Sequence, residues 1–495
     1  MSEGATPRTA VHGIGPTLVL VVALALALRL AGLHYSLWND EVASTQFAAA
    51  PVHLLWSNWM VRETNPPLYY TLLHGWIALF GDADATLRLM SVLFGCIGVA
   101  AVYLLGRRAG GARAGLLSAL LVALSAQHVM YSQQVRGYVL GHAAAVAAIL
   151  AVVVFLAPDA PQRRGRLLLG YAAACTVALY AHTTFFLLPA VLNAYVLPLL
   201  AMRRQWRAAG AWIAANAAVL LLWAWWAHLT LVQAGTRRTI GWIGPPSLPY
   251  AVRMTMESYL PWQLGPVQFA VALVMVAAAG TAARRWRRRA ELLLLPFLAI
   301  ATPALLFVLS QRVPMFLDRT VYWSSAPFLV TVAAGLAGLR PRPLMIAGVA
   351  AAVLATAAGW LVWYPTREIE PWRAIVASIE RQAPGAAVLV SGKQPALDLL
   401  RYCRAPRCSL SIVGLPSAQA DAWASGFAVP GMISPDAANR LLARSGRLVA
   451  VRWMGQDPAR VVRPRLRPVP LALPVGDRTS VEAALWRAAG DPAAR

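Results

Sequence analysis

Long apolar runs recur along the chain from residue 16 to residue 363, separated by short polar stretches. Because a helix needs about 20 apolar residues to cross the hydrocarbon core of a bilayer, each run predicts a membrane-spanning helix. The pattern therefore predicts an all-α, multi-pass membrane protein with about eleven transmembrane helices. The predicted spans are 16–33, 87–106, 112–128, 138–157, 167–182, 184–202, 209–229, 264–283, 291–310, 320–339 and 344–363.

The apolar segment 67–81 does not fit this series, because it is only 15 residues long and begins with Pro-Pro. When it is left out, sixteen arginines fall in short loops on one side of the membrane, which marks that side as cytoplasmic. We therefore expect 67–81 to be a half-inserted or interfacial helix and the first apolar run to be a retained anchor. The region after the last span is then outside. The arginine-rich loops are 107–113, 163–166, 203–207, 284–289 and 340–342.

From about Tyr364 the long apolar runs end, and segments of helical and strand character alternate. Such alternation is typical of an α/β domain. We therefore divide the chain into a transmembrane domain at 1–363 and a small periplasmic α/β domain at 364–495. Cys403 and Cys408 lie in this exported part, which favours a short-loop disulfide. The predicted helices are 371–382 and 434–445, and the predicted strands are 386–390 and 447–453.

The composition agrees with a membrane protein, since 59% of the residues are hydrophobic and 13% are charged. A formal net charge of +24 is also typical of proteins that bind nucleic acid. Here, however, the basic residues are concentrated in the short loops between apolar runs, where they set the orientation in the membrane. We therefore expect membrane lipids as partners and no nucleic acid.

The first outer loop holds an unusual group of acids, Asp40, Glu41 and Glu63, in a chain with 20 acidic residues among 495. The segment Val42–Trp59 between them is apolar and aromatic with polar residues interspersed, which fits a helix lying in the membrane interface. The carboxylates would then be held at the lipid–water boundary. An enzyme would meet a substrate with a lipid tail and a polar head at this depth.

Further ionisable residues, Arg136, His182, His228 and Arg319, fall at the same outer ends of the predicted spans. Ionisable side chains near the membrane are costly, so their concentration at one surface indicates a functional site. Transporters usually show paired repeats and helices broken near mid-membrane, and neither feature is visible in the sequence. A lipid-linked glycan transporter or flippase, and a non-catalytic scaffold, are the alternatives to an enzyme.

Five short motifs, in their order along the chain, resemble those of the GT-C glycosyltransferases. They are Trp38–Glu41 (WNDE), Glu63–Tyr70 (ETNPPLYY), Tyr131–Tyr138 (YSQQVRGY), Arg319 before a late span, and Glu370–Arg373 (EPWR). Within this superfamily, the sequence looks closest to the dolichyl-phosphate-mannose protein mannosyltransferases and the bacterial aminoarabinose (lipid A) transferases. The resemblance covers residues 16–375, with Thr320 standing where the family has a tyrosine after the arginine.

The resemblance implies an enzyme of the bacterial inner membrane with its active site facing the periplasm. Such enzymes move a hexosyl or pentosyl unit from a polyprenyl-phosphate donor to an acceptor hydroxyl, usually with inversion at the anomeric carbon. The acceptor would be a lipid or glycan of the cell envelope, or a protein. The sequence identifies neither the donor sugar nor the acceptor.

The same resemblance suggests roles for the acids and histidines. Asp40 matches the family's first acidic position and would act as the general base. Glu41 beside it would either position the acceptor or cap a helix. Some relatives hold a divalent metal ion with a carboxylate and a histidine, and these would be Glu63 with His182 or His228 in this chain.

The leaving phosphate of such a donor needs cationic stabilisation, which arginine supplies with two parallel hydrogen bonds. Arg136 and Arg319 are the first candidates, by their match to the family's motifs. The further candidates are Tyr138, Arg62, and Arg237 or Arg238.

Each of these residues also has a structural interpretation. Asp40 and Glu41 can serve as the N-cap of a helix, and Glu63 can pair with a nearby arginine. Arginines at span ends can extend to the headgroup region, as we expect for Arg29 near the outer end of the first span. Histidines at span ends are often hydrogen-bonded structural residues.

Overall fold

The computed structural model describes residues 14–158, 163–236, 243–260, 266–404, 408–417, 423–445, 447–458, 467–473 and 481–487. The described chain is mostly helical, with a five-stranded sheet near its C-terminus. It divides into two compact units. The helical unit consists of Met1–Leu33, Thr64–Leu72 and Thr86–Pro365, and the mixed unit of His34–Glu63, Leu73–Ala85 and Thr366–Arg495.

The α-helices and strands follow in chain order, with short 3₁₀ turns between some of them. The helices before the sheet are α1 (Ile14–Leu30), α2 (Asn39–Ala49), α3 (Val52–Leu55), α4 (Leu68–Phe80), α5 (Asp84–Leu124), α6 (Ala126–Ser132), α7 (Tyr138–Phe155), α8 (Arg164–Ala181), α9 (Leu187–Met202), α10 (Trp206–Thr236), α11 (Leu248–Tyr259), α12 (Pro266–Arg285), α13 (Ala290–Ser310), α14 (Asp318–Val321), α15 (Ser325–Ala337) and α16 (Arg342–Trp363). The C-terminal elements are α17 (Trp372–Gln382), β1 (Ala387–Ser391), α18 (Lys393–Tyr402), β2 (Ser411–Leu415), α19 (Pro435–Ser445), β3 (Arg447–Trp453), β4 (Arg467–Pro470) and β5 (Val481–Arg487).

Eight helices among the described residues are long and apolar enough to cross a membrane, which makes the chain a multi-pass membrane protein. A helix lies at each of the eleven predicted spans, and the number that cross the bilayer stays a prediction. Two of the predicted spans share α5. The chain leaves the helical conformation inside α5 at Gly110 and Gly111, with Gly111 at φ +80°, a value that glycine adopts without steric cost.

The first outer loop corrects one expectation. Val42–Trp59 is not a single helix, because α2 ends at Ala49 and α3 begins only at Val52. The break lies at Ala50, which is extended at φ −70° and ψ 151° and precedes Pro51. The proline ring disfavours the helical conformation of the residue before it, which accounts for the break. The next helix, α4, has 13 residues and spans about 20 Å, too short to cross the hydrocarbon core.

Burial separates inner from outer helices in the helical unit. In the most apolar 18-residue stretch of Asp318–Ala337, which contains α14 and α15, 89% is buried inside the protein, and in α7 the share is 72%. In the corresponding stretches of α10, α12 and α16 it is only 22% each. Leucines such as Leu221 and Leu361 remain exposed on these outer helices. Apolar side chains left exposed on long apolar helices are the expected lipid-facing surface.

The mixed unit contains the five-stranded sheet, in the order β2-β1-β3-β5-β4. β1 pairs in parallel with β2 and β3, whereas β5 pairs antiparallel with β3 and β4. The four elements expected in this region are confirmed within about one residue, and α18, β2, β4 and β5 were not predicted. The Cys403–Cys408 disulfide is confirmed as well. This unit also includes 34–63 and 73–85, which the sequence pattern assigned to the transmembrane domain.

Candidate active site

Arg136 lies in the tight connection between α6 and α7 of the helical unit. Its side chain is only 6% exposed, and its Nη1 donates a hydrogen bond to the hydroxyl of Tyr70 at 3.3 Å. The next residue, Gly137, packs against the carbonyl oxygen of Ala181 so closely that a Cβ atom there would collide with it. Glycine at this position therefore allows the connection that carries Arg136 to lie against the end of α8.

His182 occupies that end of α8, in the turn that leads to α9. It is buried, its Nδ1 lies 2.9 Å from the hydroxyl of Thr184, and its ring centroid is 4.8 Å from that of Tyr138. His182 lies within electrostatic reach of both Arg136 and Arg319.

Arg319 lies half-buried in the short helix α14. Its backbone N–H donates to Oδ1 of Asp318 at 2.8 Å, so the start of this helix is fixed by a side chain. Three residues later, the hydroxyl of Tyr322 donates to the carbonyl oxygen of Tyr138 at 2.9 Å. The structure thus brings Arg136, Tyr138, His182 and Arg319 together, and we call these four residues the cationic centre.

His228 does not share this environment. It lies exposed on α10, whereas the preceding Trp226 is buried and donates its indole N–H to the hydroxyl of Thr183 at 3.3 Å. The hydroxyl of Thr183 in turn donates to the carbonyl oxygen of Thr64. The aromatic run of α10 therefore contacts the turn after His182 through Trp226, and His228 points away from the packed interior.

The metal hypothesis assigns ligand roles to Glu63 and to His182 or His228. Among the residues that the structure describes, which include these three, no three His, Cys, Asp or Glu side chains are grouped so as to hold a metal ion. Zinc sites have three or four protein ligands, whereas Mg²⁺ is often bound by one or two carboxylates together with substrate phosphates. We therefore derive no step through a metal, and the metal ion stays a prediction.

Asp40 and Glu41 lie in the first turn of α2 in the mixed unit. Glu41 is fully buried, and its Oε2 accepts a hydrogen bond from the backbone N–H of Trp38 at 3.3 Å. This is the reciprocal half of a capping box, in which the third helical residue satisfies an N–H before the helix. Of the two roles that the sequence suggested for Glu41, positioning the acceptor or capping a helix, the structure shows the helix-capping contact. Asp40 is half-buried, and its side chain retains access to solvent.

Asn39, between Trp38 and Asp40, connects the WNDE motif with the C-terminal part of the mixed unit. Its backbone N–H donates to Oε2 of Glu370 at 2.9 Å, and its Nδ2 donates to Oδ2 of Asp398 at 3.1 Å. Its Oδ1 accepts the indole N–H of Trp423 at 3.3 Å. The amide is thus held at both of its ends. Sequence reasoning missed this role of Asn39, although the EPWR motif did include Glu370.

The two carboxyl groups at Asn39 have different surroundings. Glu370 also accepts indole N–H groups from Trp453 at 2.8 Å and Trp372 at 3.0 Å. Burial raises the pKa of Glu370, and these donors oppose that rise. Burial, followed by the charge of Glu370, raises the pKa of Asp398 well above its usual range. Asp398 is therefore the more easily protonated member of the pair, and Glu370 is the member with more hydrogen-bond donors.

Of the remaining candidates, Arg62 and Glu63 lie in the described part of the mixed unit. The guanidinium of Arg62 stacks 4.6 Å from the ring centroid of Trp59, and a Cβ atom at Gly426 would collide with it. Glu63 is buried at the end of the turn Asn58–Arg62. Arg237 and Arg238 lie outside the described residues.

The expectation for Arg29 was wrong. Instead of extending to the headgroup region, its side chain is 1% exposed and donates to Ser132 at 3.0 Å. It also donates to the carbonyl oxygens of Ala25 and Ala123 at 3.1 and 3.4 Å. The side chain is long enough to reach acceptors on α5 and α6, and these bonds compensate for its removal from water.

Comparisons with known proteins agree with the motifs. Residues 64–228 match the family model of the dolichyl-phosphate-mannose-protein mannosyltransferases. The crystal structure of ArnT from Cupriavidus metallidurans bound to undecaprenyl phosphate superposes with a TM-score of 0.65 at 17% identity, over 97% of this chain and 99% of that chain. The apo form of the same protein gives a TM-score of 0.64 at 15% identity, over 95% and 98%.

A more distant likeness extends to the archaeal oligosaccharyltransferase AglB from Archaeoglobus fulgidus in complex with an inhibitory peptide and a dolichol-phosphate. The TM-score is 0.50 at 12% identity, over 78% of this chain and 63% of that chain. No curated protein matches the chain by sequence. The resemblance that the motifs indicated is thereby confirmed, and the chain is a membrane protein with the fold of the GT-C glycosyltransferases.

Proposed function

We propose that the protein transfers a hexosyl or pentosyl unit from a polyprenyl-phosphate donor to an acceptor hydroxyl, with inversion at the anomeric carbon. The reaction takes place on the periplasmic face of the bacterial inner membrane, and the acceptor is a lipid or glycan of the cell envelope. The observation that carries the proposal is the cationic centre of the helical unit. The fold shared with ArnT bound to undecaprenyl phosphate supports the same class of donor.

The cationic centre has the electrostatics of an anion site. The buried His182 lies in the positive field of Arg136 and Arg319. A phosphate between these arginines would be stabilised by the same field, because charge–charge interactions are strong where water is excluded. The hydroxyls of Tyr70 and Tyr138 add donors for phosphate oxygens. The arginines thus stabilise the polyprenyl phosphate as it leaves the sugar.

Asp40 is the proposed general base. Its carboxylate takes the proton of the acceptor hydroxyl as that oxygen bonds to the anomeric carbon. The bond between the anomeric carbon and the phosphate oxygen breaks, and its electron pair stays on polyprenyl phosphate. Glu41 is committed to capping α2, so its contribution is to hold the turn on which Asp40 lies.

The test is turnover of a panel of polyprenyl-phosphate sugars by the purified protein in lipid nanodiscs. Release of polyprenyl phosphate is measured for the wild type, for Asp40→Asn and for Arg136→Ala. Asp82→Asn serves as the control, since Asp82 is an exposed acid of the same mixed unit. Turnover by the wild type and by the control, lost in Asp40→Asn with its fold and donor binding retained, supports the transferase. Equal donor binding by all variants without turnover of any sugar would favour a scaffold or a transporter.

A chelator arm of the same assay decides the metal hypothesis. Loss of turnover in chelator, with recovery on addition of a divalent ion, would establish a metal requirement. Glu63→Gln and His182→Asn would then raise the ion concentration needed for recovery if these side chains are ligands. Full turnover in chelator would rule out the divalent ion as a participant.

A further inference from the structure

The segment His34–Leu37, which leads to the WNDE motif, is held by the C-terminal part of the mixed unit. The backbone N–H of Ser36 donates to Oε1 of Glu368 at 2.9 Å, and that of Leu37 donates to the hydroxyl of Tyr402 at 2.6 Å. Arg373 donates from its backbone to the Ser36 hydroxyl at 3.1 Å and from its side chain to the carbonyl of His34 at 2.7 Å. The segment is therefore held at three of its four residues, His34, Ser36 and Leu37.

These hydrogen bonds continue as far as Asn39, the residue next to the proposed base Asp40. Asn39 contacts Glu370, Asp398 and Trp423 through its three polar groups, as described above. These partners come from the EPWR motif, from α18 and from the turn Trp423–Gly426. Glu370 is itself oriented by two indole N–H groups, one at the start of α17 and one at the end of β3. The Glu370 carboxyl group that binds Asn39 is thus itself held in place by other hydrogen bonds.

The network around Asn39 is not an efficient means of stabilising the fold. Two carboxyl groups are buried beside each other, and the charge of Asp40 acts on both of them. Burial of carboxyl groups is costly even when they accept hydrogen bonds, and well-packed apolar residues of similar size are often as stable or more stable. The gain is therefore geometric, because the amide of Asn39 can bond in this way only in one orientation.

We infer that the C-terminal α/β part of the chain positions the catalytic base: Glu370 and Asp398 hold Asn39, and Asn39 fixes the carboxylate of Asp40 toward the acceptor hydroxyl. The inference rests on the proposed function, in which Asp40 is the base. Glu370, Asp398 and Asn39 are positioning residues. They take no proton from the substrate.

The consequence for rate is large because base catalysis depends on distance and direction. A misplacement of about 1 Å can reduce the rate about 100-fold. Asn39→Leu keeps the size of the side chain and removes its bonds to Asp398 and Trp423. We expect it to reduce kcat about 100-fold and to change the affinity for the polyprenyl-phosphate donor less than about 3-fold.

Two conservative variants separate positioning from general stability. Asp398→Asn retains an oxygen that accepts from Asn39 and mimics the neutral acid, so kcat should stay within about 3-fold of wild type. Glu370→Gln keeps one acceptor oxygen and turns its NH2 group toward at least one of the three N–H donors, so kcat should fall about 10- to 100-fold. Should Glu370→Gln fail to fold, Trp453→Phe replaces it. This variant removes one of the three donors and should reduce kcat about 5-fold.

The measurements are kcat, donor affinity and thermal stability for each variant, with Asp40→Asn alongside. Arg452→Ala, which removes an exposed ion pair on β3, is the control and should match wild type. An inactive Asp40→Asn with a wild-type kcat for Asn39→Leu would overturn the positioning role and leave the base in place. A fully active Asp40→Asn would overturn the proposed base, and the inference with it. Equal losses of kcat in Asp398→Asn and Glu370→Gln that follow thermal stability would show a structural role only.

Discussion

The carboxylate of Asp84 pairs with the guanidinium of Arg401 at 2.7 Å, and both side chains are less than a tenth exposed. Asp84 also accepts hydrogen bonds from Arg373 at 2.6 Å and from the hydroxyl of Tyr402 at 2.8 Å. Within the mixed unit, this acid joins the segment 73–85 to α17 and α18. An acid with three charged or polar donors in a buried site is a strong structural tie.

Removal of the Asp84 charge should destabilise the mixed unit. Asp84→Asn leaves Arg401 buried without its partner, and the loss of one member of a buried pair typically costs about 3–5 kcal/mol. We expect a clear drop in the thermal unfolding temperature, which tryptophan fluorescence can measure. Asp82→Asn is the matched control, because Asp82 is 52% exposed and pairs with the exposed Arg404. That change should cost less than about 1 kcal/mol, and equal effects of the two variants would contradict the tie.

The phosphate role of Arg136 predicts a specific ranking of variants. Arg136→Ala should reduce kcat about 100- to 1000-fold, because it removes a hydrogen-bond donor that stabilises the negative charge developing on the leaving phosphate. Arg136→Lys should recover only part of this loss, since lysine cannot bond with two parallel donors. Tyr70→Phe removes the 3.3 Å bond to Arg136, and a loss of about 5-fold is expected. The measurement is the release of polyprenyl phosphate, and an Arg136→Ala variant as active as Tyr70→Phe would refute the role.

Asp398 predicts a dependence of stability on pH. Its pKa is raised in the folded protein, first by burial and then by Glu370, with Asp40 adding to the rise and Arg401 opposing it. The folded state therefore holds its proton more tightly than the unfolded state. This contribution to stability is complete below the unfolded pKa of about 3.9 and is lost as the pH rises through the folded pKa.

Asp398→Asn should remove that dependence. The variant carries no proton to lose, so its unfolding temperature relative to wild type should rise as the pH increases from about 4 to about 8. Thermal unfolding of both proteins across this range gives the difference directly. A difference that stays constant with pH would show that Asp398 is ionised in the folded state at every pH tested.

Features that depend on local sequence were predicted well. The apolar runs identified the long helices, because length and hydrophobicity alone determine whether a helix fits a bilayer. The segments 371–382 and 447–453 have clear amphipathic or apolar periodicity, and they form α17 and β3. The spacing of Cys403 and Cys408, in a region that the arginine distribution predicts to be exported, was sufficient to predict their disulfide.

Features that depend on tertiary contacts were not predicted. Asn39 and Glu370 are 331 residues apart, and neither residue type indicates its partner. Asp398 lies in α18, a helix that periodicity did not identify. Arg29 was expected to extend to the headgroup region, as arginines near the end of a membrane span usually do. Instead, hydrogen-bond acceptors on α5 and α6 keep its side chain buried in the helical unit. In each case the partner comes from a distant segment, which a single sequence does not show.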